Sequence, residues 1–124
     1  MSYKSGDIVV VRFPFALRNG NEIQKGRPAL VISDDKVKRR YNDVILAAIT
    51  SQVPDDIMEL EIVIEPAKGV GLLKKSLLRL DFIMTIPENL ISRKIGRLPD
   101  DILLQAESRI KKSLAIRADM GDIL

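Results

Sequence analysis

The stretch Lys25-Gly26-Arg27-Pro28-Ala29-Leu30-Val31-Ile32-Ser33 does most to decide the fold of this chain. Residues 28–33 form a short apolar run rich in β-branched side chains, which is typical of a buried strand. Gly26 permits close backbone approach, and Pro28 fixes the backbone where the strand begins. The pattern therefore predicts a β-strand that holds the Arg27 side chain on a rigid backbone.

Similar β-rich runs occur on both sides of this stretch. They cover residues 7–13, 44–49, 60–64 and 77–85, and a brief strand-like stretch covers 92–98. An Asn19-Gly20 pair and the glycines Gly69 and Gly71 mark turns between them. Several short strands at this spacing favour a small barrel or a strongly bent sheet over a βαβ fold, so the predicted fold class is mainly β.

The pattern changes to a helical one after the last strand. Pro99 is followed by Asp100 and Asp101, which is typical of a helix start. Apolar residues then recur on one side at helical spacing, namely Ile102, Leu103, Ala106, Ile110 and Leu114. We expect an amphipathic helix over about residues 99–116 that covers one open face or end of the barrel, and not a membrane or target-peptide helix.

Composition limits both the organisation and the chemistry. At 124 residues the chain suits one domain over 1–124, with the barrel over about 6–98. It contains no cysteine and no histidine, which removes disulfides, thiolate nucleophiles and the usual metal ligand and proton shuttle. The net charge of +3 suits a polyanion but is also common elsewhere. No signal peptide or bilayer-spanning segment is present, so a cytoplasmic location without membrane contact is expected.

Two segments carry groups that can bind phosphate, one at the beginning of a predicted strand and one at the end of another. The Arg27 guanidinium can hold a phosphate through two parallel hydrogen bonds, although a surface arginine beside a turn has the same sequence pattern. The buried run 44–49 ends in Thr50, Ser51 and Gln52. Their hydroxyls could stabilise a pentacovalent phosphate, or they could simply cap the loop that follows the strand.

A third segment carries opposite charges. Arg79 and Asp81 are two residues apart on a predicted strand, so both side chains should lie on one face. Leu78, Leu80 and Phe82 are then expected on the other face. The charged pair is either an acid–base couple or a same-strand salt bridge of small energetic value.

Together these segments resemble, in order and spacing, the MazF/PemK/Kid family of toxin endoribonucleases from Gly6 to about Leu114. The resemblance rests on five blocks: GDIVVVRFPF, KGRPALVIS, ITSQ, GLLKKSLLRLDFI and KIGRLPDDILLQAESRIKKSL. It implies an SH3-like barrel of the MazF/PemK type, shared with CcdB, with a C-terminal helix and a homodimeric assembly. It also implies cleavage of single-stranded RNA by the substrate's own 2′-hydroxyl, leaving a 2′,3′-cyclic phosphate and a 5′-hydroxyl, with no metal and no cofactor.

The resemblance also implies roles for individual residues. Arg27 and Thr50 match the arginine and threonine that contact and polarise the scissile phosphate, and Ser51 would assist them. Arg79 and Asp81 match a pair described as general acid and general base in Kid-like members, although other members assign proton transfer to the residue matching Arg27. Because arginine keeps its proton at any physiological pH, we expect Arg79 to act by its charge.

Further contacts to RNA are expected around this centre. Kid-like members carry a histidine in the loop after the first strand, where this chain has Ala16-Leu17-Arg18-Asn19, so Arg18 would replace that contact. The expected RNA-binding residues are Arg18, Lys25, Gln52, Lys38, Arg39, Arg40 and Tyr41. The last four belong to a basic loop with one aromatic residue, which suits phosphate attraction and base stacking. A solvated loop partly neutralised by nearby aspartates is the alternative.

Two other functions fit the same fold. A gyrase poison like CcdB would bind a protein and cut nothing, and an SH3-like RNA-binding module would bind without cleaving. Converging phosphate-binding groups favour the nuclease, since a pure binder does not need them. The family further implies a partly disordered acidic antitoxin as partner, with DNA bound only through the toxin–antitoxin complex.

Overall fold

The computed structural model describes residues 2–16 and 22–117, with the backbone alone over 13–16 and 22–25. These residues form six strands, a short 3₁₀ helix at Glu88–Leu90 and one α-helix. The strands are β1 Asp7–Ala16, β2 Glu22–Val31, β3 Asp43–Thr50, β4 Glu61–Ile64, β5 Ser76–Pro87 and β6 Ile91–Arg97, and the helix is α1 Asp100–Ser113. Each predicted run overlaps one of these elements, which confirms a mainly β chain with a C-terminal helix.

All six strands belong to one antiparallel sheet in the order β4-β5-β3-β2-β1-β6. β1 and β2 pair along their whole length, from Ile8 with Leu30 to Ala16 with Glu22. This long pairing agrees with the predicted hairpin, whose Asn19-Gly20 turn lies outside the described residues.

The sheet bends enough for its two ends to meet. Gly69 and Gly71 have positive φ angles of 86° and 84°, as expected for the predicted turn after β4. The Arg97 N–H donates to the Gly69 carbonyl at 2.9 Å. At this crossing, a Cβ atom on Gly96 would clash with the Val70 carbonyl. The bare glycine backbone therefore lets the segment after β4 pack directly on β6, which closes the sheet into a barrel.

Apolar side chains on the central strands form two core clusters because neighbouring residues point to opposite faces. Ile8 on β1 belongs to one cluster, with Leu103 and Ala106 of α1, and Val9 belongs to the other. The helix therefore covers one face, as predicted. Leu114 does not take part: it is 53% exposed, since the helix ends at Ser113 rather than near residue 116.

A buried carboxylate secures the closed end of the sheet. Asp7, 2% exposed, accepts hydrogen bonds from the Lys4 N–H at 2.8 Å and Arg97 Nη1 at 3.0 Å. Lys94 Nζ lies 3.1 Å from the same carboxylate. Burial raises the pKa of Asp7, but the Lys4 hydrogen bond and the two cations outweigh it and leave the pKa lowered. Asp7 is thus a paired, ionised structural residue.

The described part of the chain contains no helix long and apolar enough to cross a membrane.

Candidate active site

The register of three neighbouring strands brings the predicted phosphate-binding residues together. Ala29 on β2 pairs with Ala48 on β3. Arg27 lies two residues before Ala29, and Thr50 lies two residues after Ala48. If this register continued past the last paired residues, Arg27 would lie opposite Thr50 and on the same face. Both lie at the same end of the sheet, on strands about 4.8 Å apart.

Arg79 lies on β5, which neighbours β3 on the side away from β2, and its side chain is on the same face of the sheet. It pairs with Ala48, so its side chain stands beside that of Thr50 on the neighbouring strand. Thr50 and Arg79 both line an open pocket of about 450 Å³. Its walls are Thr50, Gln52, Val53, Pro54, Glu61, Leu77 and Arg79. Thr50, Gln52 and Arg79 therefore line one pocket, and Arg27 belongs to the neighbouring strand β2 at the same end of the sheet.

Arg79 and Asp81 form a bidentate ion pair. Arg79 Nε donates to Asp81 Oδ1 at 3.2 Å, and Arg79 Nη2 donates to Asp81 Oδ2 at 2.9 Å. The Arg79 hydrogen bond is the main cause that lowers the pKa of Asp81, and the same bond raises the pKa of Arg79. Asp81 is therefore an ionised carboxylate, and Arg79 is a fixed cation with three N–H groups that Asp81 does not use.

The prediction for Phe82 is wrong, because β5 is irregular at this point. Its pairing with β3 changes from Ala48–Arg79 to Ala47–Ile83, which leaves Leu80, Asp81 and Phe82 without partners on β3. The strict alternation of side chains is lost there. Phe82 is 45% exposed, and the Arg79 guanidinium carbon lies 5.3 Å from its ring centroid, so Phe82 lies beside the charged pair instead of opposite it.

The hydroxyl of Thr50 has a local role that leaves it able to bind a ligand. Thr50 Oγ1 accepts a hydrogen bond from the Gln52 N–H at 3.1 Å, which is the loop-capping arrangement considered above. Since the oxygen only accepts in this bond, its own hydrogen can still be donated to a phosphate oxygen. Ser51 is exposed at the end of β3 and does not line the pocket.

The structure does not bring the basic loop to this site within one protomer. Lys38, Arg39, Arg40 and Tyr41 are exposed between the end of β2 and the start of β3. β3 separates them from Thr50 by the seven residue steps from Asp43, or roughly 23 Å. Among the described side chains, Gln52 is thus the one expected RNA contact that lines the pocket, while Arg18 and the Lys25 side chain lie outside the described residues.

Two site residues, Glu61 and Phe82, are missed by sequence reasoning. Glu61 pairs with Arg79 across β4 and β5, and its Oε1 accepts a hydrogen bond from the Met58 N–H at 2.9 Å. Its position depends on which strands are neighbours, which no local pattern reports. For Phe82, proximity to Asp81 was the available sign, but the alternation rule assigned it to the wrong face.

Known toxins resemble this chain over most of its length. The family described as PemK-like, MazF-like toxin of type II toxin–antitoxin system matches residues 4–114. Endoribonuclease EndoA from Bacillus subtilis is 32% identical over 97 residues, covering 78% of this chain and 83% of that protein. A probable endoribonuclease MazF from Mycolicibacterium smegmatis is 29% identical over 101 residues, covering 82% and 91%.

Solved structures support the fold assignment independently. An endoribonuclease from a mycobacterial species, in complex with its cognate antitoxin, superposes with a TM-score of 0.73 at 12% identity. The match covers 95% of this chain and all of that one. At such low identity the likeness shows the shared barrel and helix. The family match over nearly the whole sequence shows more: this chain belongs to the PemK-like, MazF-like toxins of type II toxin–antitoxin systems.

Proposed function

We propose that this MazF-type endoribonuclease toxin cuts single-stranded RNA by transesterification, without a metal or a cofactor. The main support is the convergence of Arg27, Thr50 and Arg79 on one face of adjacent strands, with Asp81 bound to Arg79. Such a set can bind a phosphate and supply a carboxylate beside it. The two curated relatives are named as endoribonucleases, which favours this function over a CcdB-like gyrase poison or an inactive RNA-binding protein.

The nucleophile in this mechanism is the 2′-hydroxyl of the RNA. It attacks the adjacent phosphorus, the bond from phosphorus to the 5′-oxygen breaks, and a 2′,3′-cyclic phosphate and a 5′-hydroxyl result. Asp81 accepts the 2′-hydroxyl proton, and the departing oxygen takes a proton from water. Arg27 and Thr50 donate to the non-bridging oxygens as negative charge builds up, assisted by Ser51 at the same strand end.

Arg79 contributes charge rather than a proton. Its pKa is raised by Asp81, so it stays protonated throughout the reaction. Two of its N–H groups fix the Asp81 carboxylate, and the others face the developing charge on phosphate. The lowered pKa of Asp81 makes it a weak base but keeps it ionised, and therefore ready to accept a proton, even in mildly acidic solution.

RNA binding extends beyond the scissile phosphate in this proposal. Gln52 lies in the pocket wall and contacts the nearest nucleotide, while Arg18 and Lys25 contact the strand from the β1–β2 hairpin. Lys38, Arg39, Arg40 and Tyr41 bind a distant part of the RNA or the strand held by a second protomer, because they lie at the other end of β3.

The expected assembly is a homodimer with RNA bound across both protomers, working in the cytoplasm where messenger RNA is present. A solved relative is in complex with its cognate antitoxin, and we expect an acidic, partly disordered antitoxin to bind the basic residues of this chain. DNA would be bound only by the toxin–antitoxin complex.

The proposal is tested by incubating purified protein with a long transcript in EDTA. Discrete fragments with cyclic phosphate and 5′-hydroxyl ends are expected, whereas intact RNA would contradict nuclease function. Arg27→Ala and Thr50→Val should each lower the cleavage rate roughly 100-fold, because each removes one donor to the transition state. Unchanged circular dichroism and sedimentation would show that the variants fold and assemble normally.

Growth inhibition gives a second measurement in cells. Arg27→Ala should relieve the inhibition caused by expression of the toxin, while the dimer stays folded. A variant as toxic as the parent would remove Arg27 from the mechanism.

A further inference from the structure

Phe82 is an exposed aromatic residue next to the ion pair, and the chemistry proposed above does not use it. Its side chain is 45% exposed, although burying a phenyl ring away from water lowers the free energy of the folded protein. Phe82 belongs to neither core cluster, whereas Leu80, two residues earlier on the same strand, is fully buried. An exposed ring beside charged groups is a common feature of surfaces that bind nucleic acid bases.

The ring is held in place through the ion pair. Asp81 fixes the Arg79 guanidinium with two hydrogen bonds, and the guanidinium carbon lies 5.3 Å from the Phe82 ring centroid. This distance is within the range of a cation–π contact. Carboxylate, guanidinium and ring thus form one connected group, so the ring needs little further ordering when a ligand binds to it.

We propose that Phe82 stacks on the base of a nucleotide adjoining the scissile phosphate and thereby positions the RNA for cleavage. This inference rests on the proposed nuclease function. A phosphate bound by Arg79 brings the bases on either side of it close to the ring, since ring and guanidinium are in contact. Stacking on a phenyl ring tolerates all four bases, so Phe82 contributes affinity and position and does not by itself select a sequence.

The irregularity of β5 is what makes this contact possible. If the strand alternated strictly, Phe82 would point to the face opposite Arg79 and Asp81. The three residues that lack partners on β3 instead bring Phe82 to the Arg79 guanidinium, which Asp81 also binds. The local distortion therefore adds the proposed stacking surface to a charged pair that regular alternation already places on one face.

The first experiment measures cleavage of a short RNA containing one site mapped with the wild-type protein. Phe82→Leu keeps the apolar volume but removes the aromatic face, and it should raise KM roughly tenfold while kcat changes less than about twofold. Phe82→Tyr keeps the face and should behave like the wild type. Leu73→Ala is the matched control, because Leu73 is an exposed apolar residue outside the site, 95% accessible, and this change should leave both constants unaltered.

The second experiment identifies the base. Binding is measured by fluorescence anisotropy on uncleavable RNA with a 2′-O-methyl group at the cut site, and each flanking base in turn is replaced by an abasic nucleotide. At the stacked position the wild type should lose roughly tenfold in affinity, and Phe82→Leu should lose nothing further. Equal losses in both proteins at every position would overturn the proposal.

The controls separate this inference from the proposed function and from a role in assembly. If the wild type binds but does not cut RNA, the nuclease proposal fails, while the abasic series still shows whether Phe82 stacks. Sedimentation of Phe82→Leu and Phe82→Tyr reports on assembly. Loss of the dimer in Phe82→Leu together with additive abasic effects would mean that the ring contacts a second copy of the chain, and would overturn stacking.

Discussion

Two ion-paired aspartates at different places in the barrel differ in burial, and this difference separates a structural charge from the one to which we assign a chemical role. Asp7 is 2% exposed and is bound by Lys94 and Arg97 of β6. Asp81 is 40% exposed and is bound by Arg79 alone among side chains of the described chain. Both carboxyl groups have lowered pKa values, so a titration shift does not distinguish them. Their accessibility does, because only Asp81 can be reached by a substrate.

The surroundings of the two pairs differ in the same sense. Asp7 is buried where β1 and β6 meet beside the glycine crossing, so a side chain at this position that loses its hydrogen bonds cannot replace them with water. Asp81 lies in the irregular part of β5, where water can solvate the Arg79 guanidinium if the carboxylate is removed. We therefore expect changes near Asp7 to affect folding and changes near Asp81 to affect activity. The following predictions are ordered by their expected effect on the free energy of unfolding.

Gly96→Ala should have the largest effect, a loss of about 4 kcal/mol in the free energy of unfolding. The new methyl group would collide with the Val70 backbone, which cannot move without opening the barrel. Urea denaturation measures the loss. Gly69→Ala is the control, because it has a positive φ but open space around its Cβ position, and it should cost only about 1 kcal/mol. Equal losses would mean that the crossing is not tightly packed.

Asp7→Asn should cost about 3 kcal/mol. The amide keeps the shape of the side chain but removes the charge that pairs with Arg97 and Lys94. An NH2 donor replaces one of the two oxygens and must face either the Lys4 N–H or the two cations, which are also donors. Because both cations are partly exposed, water offsets some of the loss. The midpoint of urea denaturation, with an unchanged m-value, reports it. A loss below about 1 kcal/mol would mean that the ion pairs of Asp7 contribute no more to the free energy of unfolding than an exposed pair does.

The pH dependence of stability follows from the same carboxylate. The pKa of Asp7 is lower in the folded chain than in the unfolded chain, so its contribution is complete above the unfolded pKa, near 4. It is lost as the pH falls through the folded value, which lies lower. Stability should therefore fall below about pH 4 in the wild type, and less steeply in Asp7→Asn. Parallel curves in chemical denaturation between pH 2.5 and 6 would contradict this assignment.

How much of the fold and the site could be predicted from the sequence depends on whether a feature is set by local patterns or by contacts between distant residues. Strand runs and the helix follow from local apolar patterns, so the strand that ends at Thr50 was predicted within one residue of its observed bounds. β2, in contrast, begins six residues before the predicted run and includes Arg27. The irregularity in β5 could not be predicted, because it depends on how one strand pairs with both β3 and β4. This is why Phe82 was assigned to the wrong face. The basic loop was misplaced for a related reason: composition suggests its ligand but not the end of the sheet where it lies.

Asp81→Asn should have the smallest effect on folding and a large one on cleavage. Its ion pair with Arg79 is exposed on both sides, and such pairs contribute under about 1 kcal/mol to stability. The amide cannot accept the 2′-hydroxyl proton, so kcat should fall roughly 100-fold or more, as for loss of a general base. Urea denaturation and single-site cleavage are measured on the same preparation.

The outcome of this variant decides whether accessibility is the right criterion. If Asp81→Asn unfolds the chain as readily as Asp7→Asn, the β5 pair is a structural element despite its exposure, and the role of general base passes to another residue. If it folds normally but still cuts RNA at the wild-type rate, Asp81 serves only to orient Arg79. In that case Arg79→Lys, which keeps the charge but loses the bidentate geometry, should cost more activity than Asp81→Asn.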